Sequence, residues 1–193
     1  MVDIILASKS KARAELLRQI GLDFKICIPN VKEERKLTSS PEEIIVSNAL
    51  AKAEYAAREF ESGIIIAADT VVFSENRIIG KPSDLSEAHS TLKAISQRPH
   101  WVYSGLVLID ISKGLRETSY EKTEIFMREL SDKDIEDYFK RVNPLDKAGG
   151  FDIQGLGAIF IRRIDGCFYN VVGLPLFRLV EMLDKIGCFV LLN

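Results

Sequence analysis

Hydrophobic and polar positions along the chain switch repeatedly between a strand-like and a helix-like period. Ile4 to Ala7 is a short apolar run, and from Ala12 the spacing turns helical, with Leu16, Leu17 and Ile20 on one face. "DFKICIP" (Asp23 to Pro29) alternates as a second strand would, and the charged loop "NVKEERKLTSS" follows it. Ser40 as cap and Pro41 in the first turn open a predicted helix over about Glu42 to Glu61. "GIIIAADTVVF" is a continuous run rich in β-branched residues, the pattern of a strand covered on both faces. "SENRIIGKP" turns back to Gly80-Lys81-Pro82, and Ser83 or Asp84 caps a helix running to about Ile95. "HWVYSGLVLIDI" and "RETSYEKTEIFMREL" read as a strand pair joined near Lys113-Gly114. Ser131 caps a helix to Arg141, and the glycine-rich "NPLDKAGGFDIQGLG" leads to a predicted strand, "AIFIRRI". "LPLFRLVEMLDKIG" is the last helix, with Gly187 as its stop, and the apolar tail "CFVLLN" is expected to pack on the core.

Strands and helices therefore alternate, but the long central pair is antiparallel. The expected class is α/β, with a mixed central sheet flanked by helices, in a single domain over residues 1–193. Composition adds little to the fold and more to the partners. With 47% hydrophobic and 28% charged residues the chain can bury a core, and its net charge of -2 gives no general attraction to nucleic acid or an anionic membrane. No stretch approaches the roughly 18 apolar residues of a membrane span, and the start of the chain does not read as a signal peptide. Cys27, Cys167 and Cys188 are scattered, as expected of reduced thiols in a cytoplasmic protein. With only His89 and His100 besides them, a zinc site has too few ligands.

Against this background one feature is out of place. Lys9, Lys11 and Arg13 crowd the beginning of the first helix, where the backbone dipole already supplies positive potential. Such an arrangement makes sense around a polyanion, since helix-terminal N–H groups bind phosphate and the ligand reverses the charge penalty. Ser8 or Ser10 would equally serve as a plain cap of the same turn. Asp69 ends the run "IIIAAD", and a carboxylate at a strand end can hold a divalent cation, orient water or merely cap. Lys52 lies among alanines on the second helix with Asn48 one turn earlier on the same face. Glu33 and Glu34 could supply oxygen to Mg²⁺, and Lys81 is held in a stiff turn. Gly149, Gly150, Gly155 and Gly157 bracket Gln154 in a loop too glycine-rich to be mere connection. "GLGAIF" is no dinucleotide fingerprint, and there is no Walker-type loop. Several cations, two or three carboxylates and an amide-bearing loop suit a metal-bound polyphosphate.

At these residues the chain resembles the Maf family of nucleoside triphosphate pyrophosphatases. The matching stretches are "LASKSKARAELL", "NALAKA", "AADTVV" followed by "GKP", and "NPLDKAGGFDIQGLGAIFIRRIDGCFYNVVGLPL", in family order from about residue 4 to residue 180. The resemblance implies two lobes with an intervening cleft, similar to the inosine triphosphate pyrophosphatases, and a homodimer. It implies hydrolysis between the α and β phosphates with Mg²⁺ or Mn²⁺, leaving a nucleoside monophosphate and pyrophosphate. By motif, Ser8, Ser10 and Arg13 would bind phosphate, Lys52 and Lys81 would neutralise the polyphosphate, and Glu33 with Asp69 would hold metal. Asp69 would also be the proton acceptor, and Thr70 and Gln154 match positions tied to substrate choice. "AADT" with "DIQG" resembles the branch acting on dTTP and UTP. One departure stands out: Ala12 occupies a position where the family usually carries arginine. The alternative is a nucleotide-binding regulator of cell division or septum formation with little catalysis. A purine-preferring inosine triphosphate hydrolase fits the fold but not the motifs.

Overall fold

The β-branched run beginning at Ile64 forms an eleven-residue strand, β3 (Ile64–Ser74), around which the rest of the chain is arranged. The computed structural model describes residues 2–188. With β3, the strands β1 (Ile4–Ala7), β2 (Lys25–Cys27), β4 (Arg77–Ile79), β5 (His100–Asp110), β6 (Leu115–Met127) and β7 (Ile161–Asp165) make one seven-stranded sheet. Its order is β2-β1-β3-β5-β6-β7, and β4 pairs with β3 off that path. β1 runs parallel to β2 and β3, whereas β3, β5, β6 and β7 are antiparallel in succession, so the sheet is mixed as the sequence predicts.

The helices are α1 (Lys11–Gln19), α2 (Pro41–Glu59), α3 (Leu85–Ser96), α4 (Asp132–Phe139), α5 (Phe168–Val172) and α6 (Leu176–Lys185). Ser10, Ser40, Asp84 and Ser131 cap the first four, each side chain accepting a hydrogen bond from the backbone amide three residues on. Each such cap contributes about 1 kcal/mol. Asp84 rather than Ser83 does this work for α3.

Strand alternation divides the core. Ile5, Ala7, Ile65, Ala67 and Val107 face α2 and pack against its stripe Ala49, Ala53 and Ala56. Ile4, Leu6, Ile66, Ala68, Leu106 and Leu108 face the opposite way, onto Leu16 and Leu17 of α1 and Leu179, Met182 and Leu183 of α6. The alanine stripe lets α2 lie close to the sheet. A Cβ at Gly105 of β5 would stand 2.5 Å from the Ile45 carbonyl oxygen, so only glycine fits beneath the helix there. A third apolar cluster gathers at the other end of β3 and β5, where Val72 and Val102 meet Leu92, Ile95, Ile135, Tyr138 and Phe160.

Three sequence expectations shift. β2 is only three residues long, because this outermost strand is largely exposed and pairs on one side alone. Residues 156–160 form a 3-10 turn and β7 begins only at Ile161. The close approach of Gly157 to the Asp152 backbone holds this segment in a tight coil rather than an extended one. α5 is five residues long, too short to leave a period in the sequence. Of the apolar tail, Cys188 packs on the core and residues 189–193 lie outside the described residues.

Candidate active site

The two edges of β3 are unlike. One pairs with β5 from Ile64 to Phe73 without interruption. The other pairs with β1 only at Ile64 to Ile66 and with β4 only at Val72 to Ser74. Residues 67–71 therefore present an edge with no strand beside it, and a buried carbonyl there must find another donor. The Ala68 carbonyl finds two: Arg13 Nη1 at 2.9 Å and Lys52 Nζ at 3.2 Å. The gap in the sheet draws cations in from both faces.

Alternation then sends Asp69 to the α2 side and Thr70 to the α1 side. Asp69, 1% exposed, accepts hydrogen bonds from Lys52 Nζ (2.8 Å), Asn48 Nδ2 (2.8 Å), Arg35 Nη1 (2.7 Å) and Arg35 Nη2 (3.0 Å). Asn48 and Lys52 reach it together because they stand one helical turn apart on α2. Asn48 also clamps the loop before α2, accepting from the Glu34 amide at 2.8 Å and donating to the Glu34 carbonyl at 3.0 Å. Glu33 pairs with Lys52 at 2.5 Å and with Arg35. Two carboxylates and two cations thus share one cluster of zero net charge.

Burial alone would push the Asp69 carboxyl up, but hydrogen bonds and charge from Arg35 and Lys52 outweigh it and hold it down to about 2. Glu33 is likewise lowered, with partial burial opposed by its bond to Lys52. Both are carboxylates at neutral pH. Asp69 is not at a strand end as the sequence suggests: β3 continues five residues beyond it, because β5 and β4 go on pairing there.

On the other face, Arg13 is buried and its guanidinium is largely committed. Nε donates to the Gly173 carbonyl (2.8 Å), Nη1 to Ser8 Oγ (3.2 Å) as well as Ala68, and Nη2 to Thr70 Oγ1 (2.9 Å). Of its five N–H groups one remains. Thr70 Oγ1 also lies 2.8 Å from Ser104 Oγ. Arg13 therefore ties α1, β3 and the α5–α6 junction together, and its burial lowers its own pKa.

A cleft of about 1160 Å³ opens beside these groups. It brings together most of the residues singled out in the sequence: Ser8, Ser10, Ala12, Arg13, Glu33, Lys52, Asp69, Thr70, Lys81 and Gln154 all line it. Lys9 lines it too; Lys11 does not. Glu34 turns its carboxylate onto the amides of Arg35 and Lys36 instead. Lys81 is exposed and, among the described residues, forms no ion pair. Arg35 and Lys147 are the cleft cations that the sequence reading missed. Lys147 is paired with Asp146 (3.1 Å) and Asp152 (3.2 Å).

The donor set bears on a metal. No group of three or more His, Cys, Asp or Glu side chains that could hold an ion occurs among the described residues. Glu33 and Asp69, both touching Lys52, are hard oxygen donors of the kind Mg²⁺ takes one or two at a time, completing its shell with water and phosphate. The residues fit a cation that arrives with its substrate, not one caged by protein alone.

The chain is similar to known proteins over nearly its whole length. A dTTP/UTP pyrophosphatase of Dictyoglomus turgidum is 45% identical over 186 residues, covering 96% of each chain. A protein of the same name from Bacillus cereus is 44% identical over 96% of this chain and 90% of its own. In three dimensions the Staphylococcus aureus Ham1 protein superposes with a TM-score of 0.51 over 95% of this chain and 98% of that one, at 18% identity, which shows a shared fold. The sequence profile described as Maf-like protein matches residues 3–186, and the chain belongs to that family.

Proposed function

We propose that this protein is a nucleoside triphosphate pyrophosphatase that hydrolyses dTTP and UTP to the monophosphate and pyrophosphate. The observation that carries the reading is the buried Asp69 carboxylate, held by Lys52, Asn48 and Arg35 at the sheet gap and open to a cleft lined with further cations. The names of the relatives, 40 to 45% identical over nearly the whole chain, support the same substrates. Lys81 and Lys9, exposed at the cleft, supply charge to the polyphosphate, and Ser8 and Ser10 line the cleft beside them. Lys52 is fixed by α2 and compensates charge at the reacting phosphate. Thr70 and Gln154 lie on the cleft wall where they can contact the rest of the nucleotide.

With Arg35 and Lys52 both attached, Asp69 is too weak a base to take a proton at neutral pH. It becomes a proton acceptor for water only once Arg35 is drawn toward phosphate, and only through an oxygen that a metal does not hold. Glu33 and Asp69 would hold Mg²⁺ or Mn²⁺, which supplies polarisation of the phosphoryl oxygen and a more acidic water when bound. Three free thiols accord with a reducing cytoplasmic setting, and the family resemblance makes a homodimer the expected assembly. Among the described residues no helix is long and apolar enough to cross a membrane.

The test is release of pyrophosphate against orthophosphate from UTP, dTTP, ITP and GTP in the presence of Mn²⁺ or Mg²⁺. Pyrophosphate from the pyrimidine substrates is the expected product. Tight UTP binding without turnover would replace the enzyme with a nucleotide-binding regulator, and a purine preference would overturn the substrate assignment.

A further inference from the structure

Arg35 stands where the chemistry of the cleft leaves least room for it. Its guanidinium bonds both oxygens of Asp69 and reaches Glu33, so it bridges the two carboxylates that fit a divalent cation. Those oxygens cannot serve the guanidinium and a dication together. With Arg35 in place the cluster of Glu33, Asp69, Lys52 and Arg35 is neutral, and a divalent ion entering it would raise the charge to about +2, an unfavourable step. With Arg35 gone the remaining three groups sum to -1, and the same ion brings the cluster to +1, a suitable match for a triphosphate.

Of the two cations on Asp69, Arg35 is also the one able to leave. Lys52 lies on α2 with its side chain 9% exposed, whereas the Arg35 side chain is 38% exposed on the irregular loop between β2 and α2. The base of that loop is fixed, because Asn48 grips the Glu34 backbone from both sides and the Glu34 carboxylate holds the amides of Arg35 and Lys36. The side chain can therefore swing without the loop moving. Sequence gave no hint of this, since Arg35 is one charge among several in "VKEERK".

We propose that Arg35 is the resting counter-cation of the site: it occupies the divalent-metal position in the free protein, keeps metal from binding alone, and turns onto phosphate when metal and triphosphate enter together. The inference rests on reading the cleft as a metal–triphosphate site. Its consequence is that metal and nucleotide bind with strong positive coupling, and that the coupling passes through one side chain.

The test is Mn²⁺ titration of the nucleotide-free protein, following free Mn²⁺ by electron paramagnetic resonance, for wild type, Arg35→Gln and Arg35→Lys. Arg35→Gln is expected to bind Mn²⁺ about tenfold or more tightly than wild type, since a charge-assisted competitor has been removed. Arg35→Lys, which keeps the charge, should stay near wild type. A non-hydrolysable UTP analogue should then tighten Mn²⁺ strongly in wild type and much less in Arg35→Gln. Equal or weaker Mn²⁺ binding by Arg35→Gln, equal coupling in the two proteins, or no Mn²⁺ binding by either even with the analogue would overturn the proposal. Pyrophosphate release by wild type judges the hydrolase reading separately: a protein without turnover could still show the Mn²⁺ difference.

Discussion

The two edges of β3 are built from the same eleven residues and come to opposite ends. Toward β5 the ladder is complete, and beyond it the neutral Asn170 side chain donates to the Val102 carbonyl (3.0 Å) and to Thr123 Oγ1 (2.9 Å). Toward β1 and β4 the ladder stops for five residues, and the vacated stretch holds Asp69, Lys52 and Arg13, all nearly buried and charged. A buried carbonyl without a strand partner needs a donor, a buried cation needs a counter-charge, and a buried carboxylate needs both. One missing stretch of strand is enough to gather the charges of the candidate site. The paired edge supports the fold, and the interrupted edge holds the residues to which the proposed chemistry is assigned.

The largest test of that contrast is Asp69→Asn. If the interrupted edge is catalytic, kcat/KM should fall by about 10²- to 10⁴-fold, the range of a lost acid–base group. Near-normal pyrophosphate release would reduce Asp69 to a counter-ion. The same variant has a signature in stability. Asp69 is held at about 2 in the folded protein against an ordinary 3.8, so it stabilises the fold fully above about pH 4 and the contribution is lost as pH falls toward 2. That contribution is about 2 kcal/mol. Asp69→Asn carries no such proton, so its urea-unfolding free energy should drop less between pH 6 and pH 2.5 than that of wild type. Identical slopes would show that Asp69 is not held down by its neighbours.

Gly105→Ala probes the paired edge. Its Cβ would meet the Ile45 carbonyl oxygen at 2.5 Å and the Val46 nitrogen at 2.7 Å, pressing α2 off the sheet. Overpacking of this kind costs about 1–3 kcal/mol, which lowers Tm by roughly 2–12 °C in a chain of this size. Activity per folded molecule should fall as well, because Gly105 stands opposite Asp69 in the ladder and the displaced α2 carries Asn48 and Lys52. Unchanged Tm and kcat would mean that α2 absorbs the added methyl without moving its side chains off Asp69.

How much of this is readable from the residues differs between the edges for physical reasons. The paired edge is written in local pattern: "IIIAADTVVF" and "HWVYSGLVLIDI" have the run length and β-branching of covered strands, and the mixed sheet follows. Asn48 and Lys52 are legible as an i, i+4 pair, and Asp69 as a carboxylate in an apolar run. That Lys52 is buried depends on how close the alanine stripe lets α2 approach, which is a tertiary fact. Arg35 has no periodicity around it and no special spacing, so its place on Asp69 exists only once the loop is folded. The three N-terminal cations illustrate the same limit. Sequence places Lys9, Lys11 and Arg13 on one turn, and folding turns Arg13 inward as a strut, Lys9 to the cleft and Lys11 away from it.

The smallest effect asks whether that turn is a cap, a phosphate site or both. Ser10 Oγ accepts from the Arg13 amide at 3.4 Å, a long bond, so Ser10→Ala should cost about 1 kcal/mol, or roughly 2–4 °C in Tm. That loss alone says nothing of phosphate. Ser10→Asp separates the roles, because aspartate caps at least as well and its charge suits the positive end of α1. Its stability should equal or exceed that of wild type, while KM for UTP rises and kcat is nearly unchanged, as a carboxylate at the cleft wall repels the incoming triphosphate. An unchanged KM would place the helix end out of reach of the phosphates. Lys9 would then be an ordinary surface charge, and the interrupted edge of β3 would bind its substrate through Lys52, Lys81 and Arg35 alone.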